Sequence, residues 1–150
     1  DRTLGRLYYE NTYLNLEIIK QGFAHTYLVD ENEEREFSKA EKYARDNELN
    51  IWEKSEFYGC LEVEINKYDE YLDIIDSCDV DIAGWTVKDE STKSYKCESD
   101  EGKRFRLYSA KGEDTQEELY WGRGNIWNDD HDEIFIRDNN GILVYYYSYG

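Results

Sequence analysis

Apolar positions change their period once along this chain, near Gly59. Beyond it, Leu61-Glu62-Val63-Glu64-Ile65 alternates strictly, as a half-buried strand does. Tyr71–Ile75, Ile82–Val87, Phe105–Tyr108, Ile134–Ile136 and Ile142–Tyr147 continue the series, separated by Gly, Asn, Asp and Ser. Asn140-Gly141 between two such runs predicts a type I′ hairpin turn, which needs positive φ at both central residues. Many short strands at this spacing predict a sandwich of sheets rather than a parallel sheet.

Before Gly59 the pattern mixes strand and helix. Gly5 to Glu10 and Tyr13-Leu14 read as a short hairpin with Asn11-Thr12 at its turn. Asn15 is placed to cap a helix running to Gln21, which Gly22 ends in a left-handed conformation. The acidic run 30–36 reads as a loop leading into a second helix. There Phe37, Ala40 and Ala44 recur at spacings of three and four, forming one apolar stripe that ends near Leu49. Ile51-Trp52 supplies an apolar anchor just past it. The seam falls in Glu53–Gly59, no internal repeat crosses it, and the expected domains are residues 1–57 and 58–150.

Composition adds two constraints. Aromatics make up 16% of the 150 residues, with 15 Tyr and 4 Trp but no Met or Pro, which is enough for a packed core and excludes a disordered chain. The net charge of −17 is uneven: residues 1–57 carry 8 basic and 13 acidic side chains, residues 58–150 carry 10 and 22. Nucleic-acid affinity rests on neutralising phosphates, so the second segment is a poor direct DNA binder. Cys60, Cys78 and Cys97 lack zinc-ligand spacing; three free thiols are expected, with one disulfide inside the sandwich as the alternative. No stretch is long and apolar enough to span a bilayer, and no signal peptide is visible. The chain begins with Asp, so the expectation is a piece processed or cut from something longer.

Leu119–Tyr149, LYWGRGNIWNDDHDEIFIRDNNGILVYYYSY, together with DIAGWTVKDES at Asp81–Ser91, resembles the lamin tail domain, an immunoglobulin-like β-sandwich. The shared features are a Gly-Trp-Thr strand, Leu-Tyr-Trp-Gly, a Trp-Asn-x-x-x-Asp turn, an Asp-x-x-Gly hairpin and a closing Ser-Tyr strand. The resemblance covers about residues 58 to 150 and implies an attachment module that binds a protein or surface partner.

DRTLGRLYY, LNLEIIKQGFA and FSKAEKYARDNELNIW resemble the second half of a staphylococcal-nuclease-like (thermonuclease) domain, over about residues 1 to 54. That family consists of five-stranded OB-type barrels packed on helices, which cleave phosphodiester bonds in DNA and RNA with Ca²⁺. By this resemblance Arg6 matches the catalytic arginine, whose planar, permanently charged guanidinium suits a phosphate in its transition state. Asp1 matches the acidic residue opening the same motif, and Tyr27 falls near a nucleotide-stacking tyrosine. Where the family has an aromatic before the glycine, this chain has Leu4.

The family's calcium and general-base motifs, an Asp-Gly-Asp-Thr-like strand and an Arg-x-x-x-x-Asp-x-Pro-Glu-like segment, do not occur here. The expected fold class is therefore an α+β fragment, a partial OB-type barrel with two helices, plus an all-β immunoglobulin-like sandwich. Ca²⁺ and a nucleic-acid substrate are implied for an intact parent nuclease, in an extracellular or cell-envelope setting. The 150-residue chain alone is expected to be inactive and to hold no metal. The rival reading is a non-enzymatic tethering module. Half a barrel leaves Leu7 and Leu14 uncovered, predicting a homodimer or docking on the chain's own tail domain.

Other constellations carry less. Asn128 to Glu133 could form a calcium loop, but it lacks EF-hand spacing and reads better as a structural turn. His131 reads as a solvated turn residue and His25 as a helix-dipole partner. Lys103-Arg104-Phe105-Arg106 is the basic cluster; its arginines share a strand face and are expected to pair with neighbouring acids rather than phosphate. Trp85, Trp121 and Trp127 are expected in packing. Tyr145, Tyr146, Tyr147 and Tyr149 make a possible interaction edge. Nothing resembles a Ser-His-Asp nucleophile elbow or a Cys-His pair.

Overall fold

A computed structural model describes residues 5–98 and 102–150. Asp1 and Leu4 lie outside the described residues. The chain divides into two compact units, Asp1–Glu53 and Lys54–Gly150. The division precedes the expected boundary because residues just past Glu53 join the second unit. Ser55 N–H donates to the Leu143 carbonyl at 2.8 Å, and Ser55 Oγ donates to buried Asp138 Oδ2 at 2.5 Å.

The first unit opens with a hairpin, β1 (Tyr8–Tyr9) and β2 (Thr12–Tyr13). Its turn is Glu10-Asn11, one residue earlier than expected, because Tyr8 pairs with Tyr13 and their rings stack 4.8 Å apart. Glu10 takes φ 50° to make it. Helix α1 (Leu14–Lys20) starts before Asn15, which therefore does not cap it. Asn15 Oδ1 instead accepts from Leu7 N–H at 2.9 Å, and its Nδ2 donates to the Gly5 carbonyl at 3.2 Å. Gly22 follows α1 with φ 72°, and a Cβ there would lie 2.3 Å from the Leu49 carbonyl oxygen. Only glycine fits that approach.

Helix α2 (Glu31–Asp46) includes the acidic run expected as a loop. Glu31, Glu33 and Glu34 sit in its first turn, where the helix dipole favours negative charge. It ends at Asp46, before Leu49, and Asn50–Trp52 forms a 3₁₀ turn. Phe37, Ala40 and Ala44 are buried as the stripe predicts. The unit's apolar core is small: Ile19, Phe37 and Ala40 form one cluster, with Tyr13, Leu16, Ala24 and Val29 packed partly against it, and Ala44 and Trp52 are buried as well.

The second unit is β-rich. Its strands are β3 (Leu61–Asn66), β4 (Tyr71–Asp76), β5 (Thr86–Lys88), β6 (Ser94–Lys96), β7 (Arg104–Tyr108), β8 (Glu118–Tyr120), β9 (Asp132–Arg137) and β10 (Leu143–Tyr149). They form two four-stranded sheets, ordered β10-β9-β5-β6 and β3-β4-β7-β8. All pairs are antiparallel except β7 with β8, where Arg106, Leu107 and Tyr108 run parallel to Glu118, Leu119 and Tyr120. Alternate residues of both sheets meet in one core containing Leu72, Ile74, Val87, Leu107, Ile134 and Ile136. Trp85, Trp121 and Trp127 belong to the same core.

Three expectations are corrected here. The run 82–87 is strand only from Thr86, because Trp85 N–H closes a turn onto the Ile82 carbonyl. The β9–β10 turn is not type I′: Gly141 has φ 77°, while Asn140 is not in the positive-φ region. Gly141 N–H bonds the Asp138 carbonyl and Asp138 N–H bonds the Ile142 carbonyl, each at 2.9 Å, a three-residue loop with glycine at its left-handed position. Finally, Cys60 and Cys78 form a disulfide with Cα atoms 5.2 Å apart, and Cys97 is buried in the core. Pairing of β3 with β4 in a register that sets Leu61 opposite Asp76 brings the flanking cysteines together, which spacing alone does not reveal.

Candidate functional site

Helix α2 organises the polar cleft of the first unit. Glu33, Phe37 and Glu41 recur at four-residue spacing and so follow one side of the helix. Phe37 enters the core, while the two glutamates hold loops on either side of it. Buried Glu41 accepts from Thr26 N–H at 2.6 Å and from Thr26 Oγ1 at 3.0 Å, fixing the segment that leads into Tyr27. Glu33 holds Arg6: Nε lies 3.1 Å from both carboxylate oxygens, and Nη2 lies 3.0 Å from Oε2. Asp30, at the N-terminal boundary of α2, pairs with the same Nη2.

These contacts bring Arg6 and Tyr27 to one cleft of about 270 Å³, which Tyr13, Asn15, Asp30 and Glu33 also line. Arg6 is half exposed, and its Nη1 bonds no described residue. Tyr27 is half exposed as well. The hydrogen bond to Glu33, its charge and Asp30 raise the guanidinium pKa further above its ordinary range, so Arg6 stays charged. Reciprocally, the Arg6 hydrogen bond holds Glu33 below the usual carboxylate range, against desolvation and with help from the Tyr13 hydroxyl.

The arrangement has two chemical consequences. Arg6 is oriented, with one nitrogen left to meet an anion. The fixed charge of the trio is negative, however, because two carboxylates flank one guanidinium. Calcium takes six to eight oxygen ligands. This cleft offers two carboxylates already bonded to Arg6, and among the described residues no group of three or more His, Cys, Asp or Glu is placed to hold a metal. The residues present do not fit a calcium ion.

Residues 1–54 match the family described as SNase, Staphylococcal nuclease homologue. The match covers the first unit and stops where the second begins. No curated protein matches the chain. The nuclease-like segment therefore contains Arg6 and Tyr27 in one cleft, with Asp30 and Glu33 beside them. Sequence reading passed over Asp30 and Glu33 because it placed both in a loop; their three-residue spacing at a helix start was the available signal.

The remaining candidates take structural positions. Asp132 is buried; its Oδ1 accepts from Glu90 N–H at 3.2 Å and Glu133 N–H at 2.8 Å, and Oδ2 accepts from Asn128 N–H at 3.0 Å. That carboxylate closes the 128–133 turn. His131 is exposed beside Asp130 and Glu90, and His25 Nδ1 lies 3.0 Å from the Thr26 carbonyl oxygen. Arg106 forms a bidentate pair with Asp73, both bonds 2.7 Å, so the basic cluster does face neighbouring acid.

Proposed function

We propose that residues 1–54 are the phosphate-binding part of a calcium-dependent nuclease site, with Arg6 contacting the scissile phosphate and Tyr27 stacking on the nucleotide. The observation that carries this is the shared cleft of Arg6 and Tyr27 within a segment matching the nuclease family. Phosphodiester hydrolysis needs a polarised phosphate and an oriented water. Arg6 supplies the first in part, through a planar donor set that matches phosphate oxygens. The carboxylates for metal and water belong to other segments of a whole nuclease, in a partial OB-type barrel of this kind. On this reading residues 58–150 are a lamin-tail-like immunoglobulin sandwich that attaches the nuclease to a protein or surface partner. Two four-stranded sheets around a tryptophan-containing core support it.

A degradation assay on plasmid and RNA, with calcium and with chelator, tests the first claim. The 150-residue chain is expected to be inactive in both. Binding of a nucleoside 3′,5′-bisphosphate tests the cleft itself. Arg6→Ala is expected to abolish it, whereas Glu33→Gln strengthens it by removing a negative charge beside the guanidinium. Bisphosphate binding unchanged in Arg6→Ala overturns the assignment and favours the tethering module. That second reading draws on the charge balance of the cleft, which opposes phosphate as it stands.

A further inference from the structure

In the second unit, the ends of β3, β4 and β10 enclose a cleft of about 510 Å³ lined by Glu64, Asn66, Lys67, Tyr68, Tyr147 and Tyr149 among others. Its aromatic rings are accessible: Tyr68 is 79% and Tyr147 43% exposed. The Lys67 ammonium lies 5.5 Å from the Tyr68 ring centre and 5.2 Å from that of Tyr149. The rings thus already present their electron-rich faces to a cation.

Most polar groups there have partners. Asp73 is paired with Arg106, Asn66 bonds Asp69 and Tyr71, Lys67 donates to the Asp129 carbonyl, and the Tyr149 hydroxyl donates to the Asn128 carbonyl. The Glu64 carboxylate and the hydroxyls of Tyr68 and Tyr147 bond no described residue. The cleft thus offers one carboxylate, Glu64, without a cationic partner among the described residues, beside aromatic faces that already hold the ammonium of Lys67, and so matches a further ammonium or guanidinium.

The neighbouring edge points the same way. β10 is the outermost strand of its sheet. Its start is covered, since Lys54 bridges Leu143. From Tyr145 to Tyr149 no described strand pairs with its outer side, and Tyr147 and Tyr149 belong to that stretch. An open edge is a template for an added strand. Residues 54–150 carry 11 basic and 23 acidic side chains, which repels a second copy of this chain as well as nucleic acid.

We propose that the β10 edge and the tyrosine cleft form a docking site for an extended basic segment of a partner protein. The segment adds a strand beside β10 and sets a Lys or Arg side chain against Tyr68, Tyr147 and Glu64. This rests on the attachment role proposed above and names its partner chemistry.

The test is fluorescence anisotropy of the full chain with a labelled octapeptide of alternating lysine and valine at physiological salt. Its counterparts are a glutamate–valine octapeptide, the lysine–valine peptide N-methylated at alternate amides, and a neutral hexasaccharide. Binding of the lysine–valine peptide alone is expected. Tyr68→Ala and Tyr147→Ala each weaken it about tenfold with net charge unchanged, about the worth of a desolvated cation–π contact. Glu64→Gln weakens it more than Glu117→Gln. Tyr68 is so exposed that its variant folds even if the Tyr147 variant does not. Tyrosine variants that bind as the parent does, with every Glu→Gln change equal, overturn the site in favour of diffuse charge. Tyrosine-dependent binding of the hexasaccharide with no peptide selectivity overturns the basic partner and leaves the attachment role standing. Absence of any binding overturns the peptide site and leaves the nuclease reading untouched.

Discussion

The two units solve the same problem with unequal means. Lys54–Gly150 closes two sheets over a core of aliphatic and tryptophan side chains and adds a disulfide. Asp1–Glu53 has five buried hydrophobic side chains among the described residues, Ile19, Phe37, Ala40, Ala44 and Trp52. Of the eleven large hydrophobic side chains exposed among the described residues, eight lie in this first unit, including Leu7, Tyr8, Tyr9, Phe23 and Leu28. A chain this short buries too small a fraction of its surface to be robust. Its order rests on charged and backbone contacts: Arg6 with Glu33, Thr26 with Glu41, and Ile51 N–H with the Gly22 carbonyl at 2.9 Å. Surface charge pairs contribute little each.

The largest expected difference is between isolated fragments. Residues 54–150 should melt in one cooperative transition with sheet-type dichroism, whereas residues 1–53 should show none when expressed alone. A monomeric 1–53 that melts cooperatively breaks the comparison and makes the first unit a complete small domain.

Within the second unit, Trp85 is 2% exposed and packs in the core. Trp85→Ala should cost roughly 3–5 kcal/mol in denaturant unfolding. A loss well under ~1 kcal/mol would mean that the core does not depend on that ring.

Next comes the disulfide. Cys60 and Cys78 are 18 residues apart, and closing a loop of that size stabilises by about 3 kcal/mol in the chain-entropy account. Cys60→Ser with Cys78→Ser should lower stability by about that amount and leave the first unit unchanged. Equal stability with and without reductant contradicts it.

The smallest effects are electrostatic and opposite in sign. The Arg106 hydrogen bonds hold Asp73 below the ordinary Asp range. That stability is present above the unfolded pKa and is lost as pH falls through the folded one. Asp73→Asn should cost about 1 kcal/mol at pH 7 for a partly exposed pair, and the gap should close on acidification below about pH 4. Burial raises Glu90, with Asp132 adding to it. Its contribution is present below the unfolded pKa and is lost as pH rises through the folded one. Glu90→Gln should therefore melt no lower than the parent at pH 7 and fall behind it only in acid. Parallel pH profiles for the two variants would contradict this assignment of signs.

Periodicity legislated the local order: period two after Gly59, the Phe37-Ala40-Ala44 stripe, and a glycine closing α1 at Gly22 all follow from near-neighbour sterics and burial. Short strands such as β6 and β8 escaped it, because three residues hold too little alternation to be seen. The turn expected at Asn140-Gly141 is a three-residue loop from Asn139 to Gly141 and not type I′. Its form depends on Asp138, whose Oδ1 accepts from Asn140 and Ile142 N–H while Ser55 holds Oδ2. Resemblance named Arg6 and Tyr27 as separate expectations, and nothing local indicated that they share a cleft. Only tertiary structure sets Glu33 and Asp30 on Arg6, pairs Cys60 with Cys78, and gathers Tyr68 beside Tyr147 and Tyr149. Those meetings join residues far apart in the chain, and a local pattern records which face a residue shows but not which distant residue it meets.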